Sequence, residues 1–121
     1  MKFTTFLSGV IRGMIFLLAG GVQAIDGVAN YYTQQGVAGS CGVYHQDSDH
    51  IVALGPAWGH NTNCGRTVSI RHKGTGRVTT AVVADTCPSC PQTKLDVSVG
   101  VYEYLNGFLA LDLILIEWNF V

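Results

Sequence analysis

Two aspartates, Asp85 and Asp96, are the residues of this chain best suited to chemistry. Asp85 follows a hydrophobic strand and opens a loop, whereas Asp96 lies in a short apolar run before a predicted helix. A carboxylic acid that is partly desolvated beside another carboxylate keeps its proton more readily, which suits it to protonate a leaving oxygen. Either aspartate could instead anchor a loop, and Asp96 could accept hydrogen bonds from helix-start amides. The sequence leaves both interpretations open.

Three aromatic residues could present flat faces to a ligand such as a sugar ring: Tyr31, Tyr32 and Trp58. Side chains alternate along a strand, so only one of Tyr31 and Tyr32 can lie on the outer face. Trp118 stands in an apolar stretch and is expected in the core. For Trp58 the sequence favours neither core nor surface.

The candidate residues all follow an N-terminal segment that is typical of a secretory signal peptide. Lys2 and Arg12 give it a positive start, residues 14–22 are apolar, and Val22-Gln23-Ala24 offers a small-residue cleavage site. The apolar run is about half the ~20 residues that a membrane-spanning helix needs. We predict a signal peptide of residues 1–24, and a single secreted domain of residues 25–121 with no membrane attachment.

The charge of the predicted domain argues against a nucleic-acid partner. Removing residues 1–24 takes away two of the seven basic residues and none of the eight acidic ones, which leaves a net charge of −3. No basic run remains that could follow a phosphate backbone. We expect a monomer that binds no nucleic acid.

All four cysteines lie in the predicted domain, at positions 41, 64, 87 and 90. An even number of cysteines in a short secreted chain indicates a disulfide framework, and the pattern alone allows three pairings. A redox dithiol at Cys87-Pro88-Ser89-Cys90 would be expected in a βαβ context, and a zinc site would need two more ligands, such as His60 and His72. We expect disulfides, no cofactor and no metal. The four histidines share no spacing and are expected at the surface: His45, His50, His60 and His72.

Short strands separated by glycine-rich turns predict an all-β barrel or sandwich. Residues 64–72 alternate between polar and apolar side chains, and residues 77–84 are β-branched and apolar, so the two segments form a hairpin. Ser98 can cap a short helix over residues 99–105. The other predictions are strands at 27–32, 51–54 and 114–121, loops at 33–42 and 85–94, and a helical turn at 56–59.

Six sequence blocks follow one another along nearly the whole predicted domain: Asn30-Tyr31-Tyr32 with Gly39-Ser40-Cys41-Gly42, then residues 49–54, 64–68, 83–90, 95–98 and 116–118. Together they resemble the rare-lipoprotein-A-like family of double-psi β-barrel proteins, most closely its short fungal secreted members. Expansins, barwin-type defence proteins, a papain inhibitor and some endoglucanases share that barrel. The chain departs from the family pattern at Asn30, where threonine is usual, and at Asp112 and Leu115, where glycine and proline are usual.

The resemblance implies a six-stranded double-psi β-barrel with one short helix. By resemblance to barwin, Cys41 pairs with Cys64, and Cys87 pairs with Cys90. In expansins and the related endoglucanases the aspartates that match Asp85 and Asp96 lie together in an open groove. Asp96 matches the general acid of the endoglucanases.

The resemblance assigns ligand binding to Asp85, Asp96, Tyr32 and Thr33, with the two aspartates as the residues for any catalysis. The endoglucanases carry a catalytic base just after their first-strand aromatic residue, where this chain has Tyr32-Thr33-Gln34-Gln35 and no acid. Inverting hydrolysis needs such a base, so we do not expect it. A lytic transglycosylase needs no activated water, and cleavage by a single acid therefore stays open.

Two classes of function follow from the resemblance. The first is non-hydrolytic binding or loosening of cell-wall polysaccharide. The second is a protein-binding role, as a protease inhibitor or a defence protein of the papain-inhibitor or barwin type. An exposed aromatic platform beside Asp85 and Asp96 would favour the glycan. A rigid projecting loop with apolar side chains would favour a secreted protease as the partner.

Overall fold

The computed structural model describes residues 23–121, and within them six strands close into a barrel. The predicted signal peptide lies almost wholly outside the described residues. One α-helix, α1 (Val99–Asn106), and one 3-10 turn (Pro56–Trp58) accompany the strands in this part of the chain. The strands are β1 (Ile25–Tyr32), β2 (Ile51–Leu54), β3 (Thr67–His72), β4 (Val78–Thr86), β5 (Leu95–Ser98) and β6 (Ile114–Phe120).

The barrel is mixed, with the strand order β1-β5-β2-β4-β3-β6 around its circumference. β1 runs parallel to β5, and β2 runs parallel to β4, whereas the other four neighbouring pairs are antiparallel. This arrangement confirms the double-psi β-barrel with one short helix. None of the helices in residues 23–121 is long and apolar enough to cross a membrane.

The core is filled by the inward side chains of the strands and by one face of α1. Trp118 is fully buried, as predicted, and its ring packs edge to face against Trp58 and Phe120 at centroid distances of 5.5 and 5.6 Å. Ser98 ends β5 and begins α1, because its hydroxyl accepts a hydrogen bond from the Val101 amide, as the predicted cap requires. The helix contributes Val101, Tyr102 and Leu105 to the core.

Two disulfides tie the loops to the barrel, and they are the pairs that the resemblance to barwin implied. Cys41–Cys64 joins the loop after β1 to the segment before β3, and Cys87–Cys90 closes a tight turn after β4. The Cys41–Cys64 bridge closes a separation of 23 residues, which by loop entropy contributes roughly 3 kcal/mol to the free energy of unfolding.

One element prediction is wrong, and one segment that was left unassigned is a strand. The loop predicted to begin at Asp85 begins after Thr86, because β4 continues through both residues in its pairing with β2. The segment Leu95–Ser98, which the pattern left unassigned, is the strand β5. Four residues are too few to show the two-residue alternation of a strand, so this segment is recognised as a strand only from its pairing with neighbouring strands. Asp96 therefore lies on a strand.

Gly27 lets the loop before β5 approach β1. A Cβ at this position would lie 1.9 Å from the Thr93 carbonyl oxygen, so any larger residue would displace the loop. The same carbonyl accepts a hydrogen bond from the indole nitrogen of Trp118 at 3.1 Å. Because Gly27 has no side chain, the Thr93 carbonyl comes close enough to accept this hydrogen bond, and the only polar side-chain atom of buried Trp118 is satisfied.

His72 is buried, with 8% of its surface exposed, so its predicted surface position is wrong. Its Nδ1 atom accepts hydrogen bonds from the amides of Gly74 and Thr75, at 2.9 and 3.2 Å. Since Nδ1 is an acceptor, Nε2 carries the proton and donates to Asn106 Oδ1 at 3.0 Å. The imidazole thereby fixes the β3–β4 turn and links it to the end of α1.

Replacing His72 by leucine keeps the volume but leaves two amides and the Asn106 oxygen without their partner. We expect a loss of about 1–3 kcal/mol in the free energy of unfolding, measured by urea denaturation. His60→Leu is the matched control, because His60 is exposed and should change stability little. Equal losses in the two variants would contradict the role assigned to His72.

Candidate functional site

Asp85 and Asp96 lie on strands that flank β2, and both are opposite the same residue. Ala53 pairs with Asp96 on one side and with Asp85 on the other. Asn30 pairs with Asp96 from β1 and extends the row. Residues opposite one another share a face of the sheet, and two strand spacings separate the two aspartate Cα atoms by about 10 Å. The predicted pair is therefore brought to one surface, with a small side chain between its members.

A β-bulge turns Asp85 toward this surface. Val52 pairs with Val83, but the next residue of β2, Ala53, pairs with Asp85, which leaves Ala84 as an extra residue in β4. Without the extra residue, alternation would place Asp85 on the core side with Val83. Bulges commonly re-aim side chains in this way. The sequence pattern shows no sign of the bulge, since the segment reads as one uninterrupted apolar strand.

The carboxylate of Asp85 anchors the loop that follows β1. Its Oδ1 atom accepts hydrogen bonds from the backbone amides of Ser40 and Thr86, both at 2.8 Å. Its Oδ2 atom accepts the hydroxyl of Tyr32 at 3.4 Å. Gly39 packs directly on this aspartate, because a Cβ there would lie 3.0 Å from Asp85 Cγ. The anchoring role that the sequence left open is thus filled by Asp85.

Asp96 forms an ion pair that sequence reasoning missed. The Lys94 ammonium lies 2.6 Å from Asp96 Oδ1 and also donates to Asn30 Oδ1 at 2.9 Å. Asp96 does not cap the helix, since Ser98 does so. Lys94 stands two residues before Asp96, and the strand period could have predicted that they share a face.

Tyr32 lies between the two aspartates. Its ring packs against Ala53 and against the Cys87–Cys90 disulfide. Burial raises the pKa of the Tyr32 phenol from 10.0 to about 12, the carboxylates of Asp85 and Asp96 add to the rise, and the nearby Gln34 amide opposes part of it. Tyr31 turns the other way, with its ring 5.2 Å from that of Tyr102. The structure thus places Tyr32 on the aspartate surface.

The sulfur atoms beside Asp96 do not form a metal site. Ligand-type atoms of Cys87, Cys90 and Asp96 lie within 4.8 Å of one another. The two sulfurs are joined in a disulfide, however, and therefore supply no thiolate to a metal ion. Lys94 also lies 3.6 Å from Cys90 Sγ, and its positive charge opposes a cation at this position.

A hollow of about 230 Å³ opens beside Tyr32 and Asp85. The loop after β1 forms the wall of this hollow, and Thr33 is exposed at the rim. The Thr33 hydroxyl accepts a hydrogen bond from the side-chain amide of Gln35. On the other side of this loop, the Ser40 hydroxyl donates to Asn61 Oδ1 at 2.7 Å. Asn61 has a positive φ of 59°, a conformation that asparagine tolerates better than most residues. Sequence reasoning missed this polar network because its members are distant in the chain.

Comparison with known proteins identifies the family. Over 106 residues the chain is 33% identical to the papain inhibitor of Streptomyces mobaraensis, a match that covers 82% of this chain and 73% of the inhibitor. The chain belongs to the papain-inhibitor family. An allergen of Aspergillus fumigatus is also 33% identical over 98 residues, which cover 78% of this chain and 36% of the allergen. No family model matches the sequence, and the narrower assignment to rare-lipoprotein-A-like proteins stays a prediction.

Solved structures agree with this family and with the barrel. The Streptomyces papain inhibitor superposes with a TM-score of 0.66 at 30% identity, over 82% of this chain and 94% of that protein. The expansin of Clavibacter michiganensis superposes with a TM-score of 0.70 at 25% identity, over 82% of this chain and 50% of the expansin. The chain thus spans nearly all of the solved inhibitor chain, 73% of the full inhibitor and half of the expansin, and the predicted expansin-like barrel is confirmed.

Asp85→Asn tests the anchoring role. Asparagine keeps the shape but replaces two charge-assisted hydrogen bonds from backbone amides by weaker neutral ones. We expect the free energy of unfolding to fall by about 1–2 kcal/mol, measured by urea denaturation. Asp96→Asn is the comparison, because its ion pair is made by a side chain alone and its loss should matter less. A variant of Asp85 as stable as the wild type would show that the carboxylate is free for another role.

Tyr32→Phe tests the position of the phenol. The pKa of Tyr32 is higher in the folded chain than in the unfolded one, so its contribution to stability is complete below pH 10 and is lost as the pH rises toward 12. We expect the wild type to lose more stability than the variant across this interval. An ultraviolet titration of the phenolates should likewise lose one component near pH 12 in Tyr32→Phe. If the wild-type and Tyr32→Phe titrations differed only by one tyrosine with an ordinary pKa, the Tyr32 phenol would lie in solvent.

Proposed function

We propose that this chain binds a protein, as an inhibitor of a papain-class cysteine protease. The observation that carries this proposal is a projecting apolar loop of residues 107–113, called here the apolar loop. Leu111 is 93% exposed, Phe108 63% and Leu113 55%. Soluble monomers seldom expose several large apolar side chains together, and such patches commonly mark binding surfaces.

The apolar loop is held rigidly by the barrel. The hydroxyl of buried Tyr102 donates to the Asp112 carbonyl at 2.9 Å, and the Asn106 amide donates to the Phe108 carbonyl at 3.0 Å. Gly107 ends α1 in the left-handed conformation, with a φ of 91°. A loop that is already ordered loses little conformational entropy on binding, which favours affinity. A rigid loop with exposed apolar side chains is the feature that the sequence analysis named as favouring a protease partner.

The aspartate surface gives less support to glycan binding by stacking. Tyr32 is half-buried against the disulfide, and its hydroxyl is directed to Asp85. Trp58 is half-buried too, and its ring packs on Trp118 and Phe120. Neither Tyr32 nor Trp58 therefore forms a flat exposed platform beside Asp85 and Asp96. Tyr44 is 72% exposed and pairs with Ala38 in the wall of the hollow, which places an exposed aromatic residue near this surface. The match covers 73% of the Streptomyces papain inhibitor, against 36% of the allergen and 50% of the expansin, which supports the protease proposal.

Glycan binding or loosening is the second candidate, and one observation favours it. Asp85 and Asp96 share a row with Asn30, and Asp85 borders the open hollow where Thr33 is exposed, a surface able to hydrogen-bond sugar hydroxyls. The expansin of Clavibacter michiganensis has the same fold. In this second proposal Asp85, Asp96, Tyr32 and Thr33 bind the glycan by hydrogen bonds.

We also propose that residues 1–24 are removed as a signal peptide and that residues 25–121 act outside the cell. The signal pattern and the disulfides support this, since disulfides persist in oxidising compartments.

Leu111→Ser tests the protease proposal. The side chain is almost fully exposed, so the variant should unfold at the wild-type temperature. If Leu111 contacts the protease, its truncation should weaken inhibition of papain by about tenfold or more, as measured by the inhibition constant.

Val121→Ser is the matched control, because Val121 is 68% exposed and lies outside the apolar loop. A pull-down on insoluble cellulose, chitin and peptidoglycan runs beside the inhibition assay. Retention on a glycan by a protein that leaves papain and related proteases fully active would reject the first candidate and support the second.

A further inference from the structure

Gln34 is a buried polar residue whose amide nitrogen has no partner among the described residues. The residue is 5% exposed, and its Nε2 atom forms no hydrogen bond with any of them. The amide lies near enough to the Tyr32 phenol to oppose the rise in its pKa, but the phenol oxygen does not complete a hydrogen bond with Nε2. A buried donor without an acceptor destabilises a protein, and nearly all such donors are satisfied. This donor lies beside an open hollow, so a ligand bound in the hollow would supply the missing acceptor.

The backbone around Gln34 is fixed, so the unpartnered amide is not a consequence of a loose loop. The Gln34 amide N–H donates to Asp47 Oδ1 at 2.7 Å, and its carbonyl accepts a hydrogen bond from Val37 at 3.2 Å. The terminal torsion of a glutamine is soft. The side-chain amide can therefore turn toward an acceptor in the hollow without moving the loop.

The hollow that Gln34 lines also offers an acceptor. Asp85 Oδ1 already receives two backbone amides, whereas Oδ2 receives only the long hydrogen bond from Tyr32 at 3.4 Å. Oδ2 therefore retains capacity for a further donor. Val37 and Ala38 add apolar surface to the same wall. The negative charge of Asp85 disfavours an anionic ligand.

We propose that this hollow binds one peptide unit of the partner protein, with Gln34 Nε2 donating to its carbonyl and Asp85 Oδ2 accepting its N–H. A peptide unit carries one acceptor and one donor, which matches the groups that the hollow provides. Apolar surface beside them suits a flanking side chain. This inference rests on the proposed function, because it assumes a protein partner, and it makes Gln34 a specificity-determining residue.

Gln34→Met tests the inference, because methionine keeps the unbranched shape and removes the donor. An unsatisfied buried amide is replaced by an apolar group, so the melting temperature should stay the same or rise. Inhibition of papain should nevertheless weaken by about tenfold, as expected for the loss of one buried hydrogen bond. Gln34→Leu provides a second variant with the same expectation. Gln92→Met is the control, since Gln92 is exposed and does not line the hollow.

A direct binding experiment separates this inference from the proposed function. The Gln34 side-chain amide resonances of isotope-labelled wild-type protein are followed by NMR while an acetylated, amidated alanine dipeptide is added, and then a cello-oligosaccharide. We expect the dipeptide to shift these resonances and the sugar to leave them in place. If the wild type inhibits no protease but the dipeptide still shifts them, the proposed protease is wrong and the peptide site stands.

Three results would overturn the assignment of Gln34. The first is a lower melting temperature in both variants with unchanged inhibition, which would make the residue structural. The second is a dipeptide that leaves the Gln34 resonances unchanged. The third is a shift produced by the oligosaccharide instead of the dipeptide, which would assign the hollow to a glycan.

Discussion

The aspartate surface depends on the position of β2 between two strands, β4 and β5, that run in opposite directions to each other. β2 is parallel to β4 and antiparallel to β5, and all four of its residues are buried. Ala53, the β2 residue between the inward-facing Val52 and Leu54, is opposite Asp96 and Asp85. Any larger residue at Ala53 would push against the Tyr32 ring and the disulfide that cover it. Two aspartates eleven residues apart thus share one surface because a short buried strand separates them.

The two aspartates have different roles because their neighbours differ. Asp85 receives backbone amides and holds a loop, whereas Asp96 is paired with Lys94. Both carboxylates are thus held by groups of the chain itself. Fixed donors and acceptors of this kind favour recognition, as proposed above for the apolar loop and the hollow beside Gln34.

Much of the fold could be predicted from the sequence, but the site could be predicted only in part. Alternation in residues 67–72 and the β-branched run in β4 define a hairpin without reference to the rest of the chain. The four residues of β5 show no period, and only the family resemblance supplied a sixth strand. The bulge at Ala84 depends on pairing between distant segments, which local pattern does not encode, and the surroundings of Gln34 became visible only in three dimensions for the same reason. The alternation of β3, in contrast, already places His72 on the inward face with Val68 and Ile70, and the strand period already places Lys94 on the face of Asp96.

The pairing of β1 with both β5 and β6 also affects how the chain folds. Ile25 is opposite Trp118, and Ala29 is opposite both Leu95 and Ile114, so the first strand finds its partners only among the last residues. Contacts this distant in sequence slow folding, because a long segment must be ordered before they form. During synthesis the β3–β4 hairpin can form early, while β1 has no partner until β5 and β6 have been made. The barrel therefore closes as a late, nearly whole-chain event, and a cell that makes this protein must keep β1 from pairing elsewhere until then.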